Sequence, residues 1–159
     1  MEAPTTENLE ILKGIPLFTE LNEADRTLLA DRFSPRVFRE GEKVFAEDTP
    51  GHSMMIIVSG EVRISSDDSG QGEETFTILK RGDFFGEMAL LDELPRSATA
   101  IAHSDLILLE IERSSFIRFI NDHPAAGVFI LWTMARNLSA RLRETNLKVK
   151  TFVNLSQWL

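Results

Sequence analysis

Between Asp83 and Ala102 the chain reads Asp-Phe-Phe-Gly-Glu-Met-Ala-Leu-Leu-Asp-Glu-Leu-Pro-Arg-Ser-Ala-Thr-Ala-Ile-Ala. This stretch sets a glycine beside a carboxylate at Gly86 and Glu87, then an apolar turn, then one arginine, Arg96, between Pro95 and a run of small and β-branched residues. Such a set suits a small anion that also carries hydroxyls. Without a Cβ, Gly86 lets backbone approach a ligand closely. Glu87 to Leu91 favours a helical turn, whose first N–H groups would point at a phosphate. A carboxylate there would repel the phosphate, so Glu87 is suited instead to accept hydrogen bonds from a sugar hydroxyl. Arg96 supplies the countercharge through a planar fork that matches phosphate oxygens. The competing arrangement is a Glu87–Arg96 pair on a surface loop, which would contribute little to stability. The appearance of Gly, Glu, the turn and Pro-Arg-Ser-Ala-Thr together and in order favours the ligand site.

Phe85 to Leu91, followed by Pro95 to Ala100, resembles the phosphate-binding cassette of cyclic-nucleotide-binding domains. The likeness extends to Gly41, Gly60 and Gly82 at the turns between strands and to the C-terminal helices, covering residues 9–155. It implies that Arg96 and the backbone after the Gly-Glu pair, at Met88, Ala89 and Leu90, hold the cyclic phosphate, with Ser97 adding an O–H donor. It also implies that Glu87 and the Gly86 amide hold the ribose 2′-hydroxyl. The expected ligand is cAMP ahead of cGMP, with no metal; the Ser97 hydroxyl can also reach a guanine in the syn conformation, so the base stays open. In catabolite-activator-type members a Thr-Ser pair on the dimer helix contacts the purine. Thr145 and Asn146 occupy those positions here, the second departing from the pattern. A polar residue in a helix seam also serves to fix register, and both readings stand.

Length and composition set the frame for such a site. The 159 residues are 43% hydrophobic, enough for one well-buried core and short for two full domains. One domain over residues 1–159 is expected, with N-terminal helices at 1–33, a β-barrel at 34–111 containing the cassette at 84–100, and C-terminal helices at 112–159. No apolar run reaches the ~18 residues of a transmembrane helix, and the first residues do not read as a secretory signal, so a cytoplasmic protein is expected. With no cysteine, disulfide frameworks and thiolate metal sites are excluded. A net charge of −8 argues against general nucleic-acid binding. The cluster Arg136, Arg141, Arg143, Lys148 and Lys150 reads as a solvated helix face. His52, His103 and His123 lack metal-ligand spacing, and no nucleophile triad or Walker loop occurs, so a binder is expected rather than an enzyme.

The elements that must carry the cassette follow in order. A first short helix begins at Thr6, and Asn22, with Asp25 three residues on, caps a second whose Leu28, Leu29 and Phe33 face inward. From Ser34 onward, short β-branched and aromatic segments alternate with turn signals: 36–39, 43–45, 53–58, 61–65, 75–79, 98–102 and 106–111. Ser59-Gly60 reads as a hairpin turn, Met54-Met55 as a strand pair with one side chain inward, and Asp67 to Gly72 as a flexible loop. Phe76 and Ile78 are expected inward. About eight short strands argue for a double-Greek-key jelly-roll barrel flanked by helices. Helices return at Glu112, and Pro124 suits the first turn of a long helix reaching about residue 152. Leu131, Ala135, Leu138, Leu142, Thr145, Val149 and Phe152 recur every three or four residues as an a/d seam, implying a homodimer through residues 131–152. Trp158 reads as a loosely packed terminus, with stacking on the base as its alternative.

These readings converge on a stand-alone cyclic-nucleotide sensor that signals through its C-terminal helices to an unknown protein partner. Two alternatives stand beside it. One is a fragment or relative of a DNA-binding transcription regulator, whose helix-turn-helix would begin where this chain ends. The other is a dimeric interaction module with a silent pocket.

Overall fold

The computed structural model describes residues 6–66 and 73–156, leaving out the side chains of Thr6, Glu7 and Glu74. The cap expected at Thr6, the loop at 67–72 and the role of Trp158 therefore lie outside what is described. Two short helices come first, α1 (Thr6–Lys13) and α2 (Glu23–Ala30), separated by a 3-10 turn at Pro16–Phe18. Among the described residues eight strands follow: β1 (Phe33–Phe38), β2 (Lys43–Phe45), β3 (Ser53–Ser59), β4 (Val62–Ser66), β5 (Glu74–Leu79), β6 (Phe84–Phe85), β7 (Thr99–Ala102) and β8 (Leu106–Glu112). Helix α3 (Met88–Leu91) lies between β6 and β7, and α4 (Arg113–Asp122) and α5 (Pro124–Ser156) close the chain.

The strands form two four-stranded antiparallel sheets, ordered β1-β8-β3-β6 and β2-β7-β4-β5. This is the expected jelly roll, but as two facing sheets rather than a closed barrel. Strand β3 explains how the layers share one scaffold. Its Met54 and Ile56 join Phe18, Leu29, Phe116 and Phe119 in a core between sheet and helices. Its Met55 and Ile57 join Val62, Ala100 and Leu108 in a second core between the sheets. A strand covered on both faces carries a continuous apolar run, so both Met54 and Met55 are buried rather than one.

Several local expectations are corrected. Ser59-Gly60 is not a hairpin turn, because β3 and β4 belong to different sheets. Gly60 has φ +87° and passes so close to Asp105 O that any side chain would collide with it. Leu28 is 40% exposed, and Phe33 begins β1 instead of extending α2. Phe76 and Ile78, at 50% and 40% exposed, sit on β5, an edge strand with a neighbour on one side only. The Asn22 cap is present, its Oδ1 accepting the Asp25 N–H at 2.8 Å.

The long helix turns one short stripe toward the domain. Ala126, Gly127, Ile130 and Met134 are its buried residues, whereas Leu131 and Ala135 face outward. The close approach of α4 and α5 sets this rotation, since a Cβ on Gly127 would lie 2.9 Å from Ile120 Cβ. Among the described residues no helix is long and apolar enough to cross a membrane.

Candidate ligand-binding site

Strand β6 is only two residues long, but its pairing with β3, Met55 opposite Phe85 and Ile56 opposite Phe84, fixes where the following loop begins. The chain turns at Gly86, with φ +77°. A Cβ there would stand 2.6 Å from Arg96 Nη1 and 3.1 Å from Ser53 O, so glycine is required both by the backbone and by the arginine behind it. After α3 the loop is tied down at Arg113, whose Nε donates to Leu90 O at 3.0 Å and whose Nη2 lies 2.5 Å from Glu93. Backbone bonds Arg96 N–H to Thr49 O and Asp48 N–H to Arg96 O, both 2.9 Å, return it to the segment before β3.

Arg96 is 6% exposed. Its Nη1 donates to Ser53 O at 2.8 Å and Gly86 O at 3.2 Å, and its Nη2 donates to Ser53 Oγ at 3.1 Å. Its Cζ lies 4.1 Å from the centroid of the Phe45 ring, a cation–π contact. Nε is buried and has no hydrogen-bond partner among the described residues. A Cβ on Gly51 would come within 2.5 Å of that atom, so Gly51 and Gly86 together form a cradle that larger residues would fill. Burial pushes the Arg96 pKa down, opposed by the carboxylates of Glu110, Glu112 and Glu87.

Glu87 is 4% exposed and does not pair with Arg96. Its Oε1 accepts from Arg141 Nη1 of α5 at 3.0 Å, while Arg141 Nη2 donates to Phe84 O at 2.7 Å. Burial raises the Glu87 pKa above the ordinary carboxylate range, and Arg141 offsets only part of that shift.

Seven of the nine residues singled out in the sequence meet in one cavity of about 950 Å³: Gly86, Glu87, Met88, Ala89, Arg96, Ser97 and Thr145. The volume falls in the range of small-molecule sites. Ile64, Phe76 and Phe85 supply an apolar wall from the sheets, and Leu138, Leu142 and Val149 supply another from α5. The remaining two are placed elsewhere. Leu90 is 1% exposed in the core between sheet and helices, with its N–H donated to Glu87 O at 3.0 Å. Asn146 is exposed and does not line the cavity. Arg141, read in the sequence as part of a solvated basic face, lines the cavity instead. Its spacing of three from Leu138 and four from Thr145 would have placed it on the cavity face. Ser97 Oγ lies 3.5 Å from Met88 Sδ, and Thr145 Oγ1 donates to Arg141 O at 3.0 Å. Among the described residues no group of three or more His, Cys, Asp or Glu is placed to hold a metal.

Known proteins are similar to this chain in sequence and in fold. The Cyclic AMP receptor protein of Thermus thermophilus is 34% identical over 138 residues, 87% of this chain and 62% of the relative. The cAMP-dependent protein kinase regulatory subunit of Debaryomyces hansenii is 34% identical over 119 residues, 75% of this chain and 25% of the relative. The chain thus spans less than two thirds of the length of either. The crystal structure of a cyclic nucleotide-binding domain from Methylobacillus flagellatus superposes with a TM-score of 0.76 at 27% identity, covering 87% of this chain and 78% of that one. The family described as "Cyclic nucleotide-binding domain" matches residues 35–123, more than half of the sequence, and this chain belongs to that family.

Proposed function

We propose that this chain is a regulatory sensor domain, a binder and not a catalyst, which takes up a cyclic nucleotide, cAMP in preference to cGMP, and passes the event to its C-terminal helices. One observation carries the reading: two buried groups of opposite charge, Arg96 and Glu87, face one apolar-walled cavity while each is held by partners other than the other. Arg96 is the countercharge for the cyclic phosphate. Because the Leu90 N–H is engaged with Glu87 O, the other phosphate donors are assigned to Ala89 N–H and Ser97 O–H. The carboxylate of Glu87 offers two oxygens; Arg141 takes Oε1, and Oε2 is assigned to the ribose 2′-hydroxyl. The apolar walls suit a purine, with Thr145 on the α5 side. The names of the Thermus and Debaryomyces relatives, both of which specify cAMP, support that nucleotide over cGMP.

Signalling is assigned to α5 because the helix that lines the cavity also contacts the cassette through Arg141. A homodimer through residues 131–152 is part of the proposal, supported by the exposure of Trp132, Leu142, Val149 and Phe152, and the output goes to a protein partner that recognises one liganded state.

Calorimetric titration of nucleotide-free protein with cAMP and cGMP tests the reading. The expected result is saturable binding at one site per chain with cAMP the tighter. Since a hydrogen bond to a charged group contributes about 1.5–3 kcal/mol, Arg96→Ala and Glu87→Ala should each weaken binding about tenfold or more. No heat at millimolar nucleotide would overturn the function, and an unchanged Kd in either variant would remove that residue from the site.

A further inference from the structure

Arg96 sits at one end of a row of polar side chains that crosses the sheet. Its Nη2 donates to Ser53 Oγ at 3.1 Å, Ser53 Oγ donates to Glu110 Oε1 at 2.7 Å, and Arg36 Nη1 donates to Glu110 Oε2 at 2.6 Å. These residues lie on three adjacent strands. Ser53 of β3 pairs with Glu112, Glu110 of β8 pairs with Ser34, and Arg36 pairs with Leu108, so each link is a diagonal two-residue step on one face. Arg96 and Ser53 are both buried, at 6% and 5% exposed, and exposure then rises through the side chain of Glu110 at 13% to that of Arg36 at 52%. We propose that Ser53 and Glu110 are positioning residues that fix the orientation of the Arg96 guanidinium for anion capture, with Arg36 holding Glu110 from the outer edge of the sheet. This rests on the reading of the cavity as a cyclic-nucleotide site.

The position of one hydrogen atom decides how the guanidinium is held. A serine hydroxyl has a single donor and two acceptor lone pairs. The short bond to a carboxylate commits the Ser53 proton to Glu110, which leaves a lone pair for Arg96 Nη2. Nη1 is held by two backbone carbonyls that no side-chain change removes, and Nε has no partner among the described residues. The rotation of the fork about its Nη1 anchor therefore depends on Ser53 Oγ, and the direction of that hydroxyl depends on Glu110. Recognition of phosphate by a planar fork needs that rotation fixed. If the row merely closed the end of the core between the sheets, its loss would lower stability without selectively affecting Arg96.

The test combines affinity with a direct view of the arginine. In calorimetry with cAMP, Ser53→Ala and Glu110→Ala should each bind about three- to tenfold more weakly, and the double variant no more weakly than the poorer single one, because both break the same chain. Ser53→Thr, which keeps the hydroxyl, should stay within about twofold of the wild type. In the protein without nucleotide, the Arg96 Nε–H resonance, observed with nitrogen-15-labelled arginine, should shift in both alanine variants and not in Arg118→Gln. Single variants with wild-type affinity, or additive losses, would overturn the inference. If the wild type binds neither nucleotide, the functional reading fails and the resonance alone decides: an unmoved Arg96 signal in Ser53→Ala and Glu110→Ala would overturn the positioning role.

Discussion

At the scale of single residues, Glu87 shows what the site costs the fold. Burial lifts its pKa above the ordinary 4.5, and the bond to Arg141 does not restore it. In strong acid the carboxyl is protonated in folded and unfolded chains alike, so it makes no difference to stability. As the pH rises from about 4.5 the unfolded chain ionises first, and the folded state carries the cost of a buried charge at neutrality. Glu87→Gln should therefore melt at a higher temperature than the wild type at pH 7, with the gap narrowing as the pH is lowered through the carboxylate range. Arg141, a third exposed, can find water when its partner is neutral. A thermal-shift series from pH 7 to pH 4 checks this, and a variant less stable than the wild type at pH 7 would contradict it. Gly51 gives a second case. Alanine there is not strained by a positive φ, but its Cβ would meet Arg96 Nε at 2.5 Å. Gly51→Ala should keep the fold by circular dichroism and lose about tenfold or more in affinity as the guanidinium is displaced. That Gly86, Glu87 and Arg96 meet at one cavity was legible in the sequence because the cassette is a local order of residue types. Gly51, Ser53 and Arg141 were not, because each acts on the cassette from a distant segment, Arg141 from 54 residues beyond Glu87.

At the scale of elements, the strands and helices were readable wherever one face is apolar and the neighbours are close in sequence. The errors fall where layering decides. Nothing local distinguishes a glycine turn that folds a strand back on itself from Gly60, which hands the chain to the opposite sheet. The Phe84–Phe85 strand was too short to register as a period, yet it anchors the cassette to β3. Helix α5 was found at nearly its full length, but the face it turns to the domain, Ala126, Gly127, Ile130 and Met134, was not read, since the contact of Gly127 with Ile120 sets it from another helix. The observed rotation makes α5 a lid as well as a spine: Ile130 and Met134 pack in the core, and Leu138, Arg141 and Thr145 continue the same face over the cavity. Bound nucleotide should thus slow amide exchange in residues 138–150, where in its absence the helix is held to the domain mainly by Arg141 and by Lys148, whose Nζ lies 3.5 Å from Phe76 O. Hydrogen-exchange mass spectrometry with and without cAMP measures this, and equal protection across 112–150 would rule out the C-terminal helices as the signalling element.

At the scale of the molecule, the unresolved balance is on the far side of α5. Val128 and Trp132 are both 65% exposed, and Ala135, Ser139 and Arg143 continue that side at intervals of three and four residues. A run of small residues after a large aromatic lets a second helix approach closely, and a two-fold pair would bury the tryptophan of each chain against the small side chains of the other. Leu142 and Val149 stand between this outer side and the cavity, so a partner helix covering them would also narrow the cavity mouth and make ligand affinity depend on association. The proposed dimer can then be separated from the proposed ligand site by substitution. Trp132→Glu combined with Ala135→Glu places like charges across the two-fold axis without touching a residue that lines the nucleotide cavity. Sedimentation velocity at micromolar concentration should show the wild type as a dimer and the double variant as a monomer. The monomer should still take up one cAMP per chain, about three- to tenfold more weakly, because the cassette is intact while the cavity mouth is more open to water. A monomeric wild type would remove the dimer from the proposal and leave the sensor reading standing, whereas a monomeric variant with unchanged affinity would show that association and ligand capture are independent.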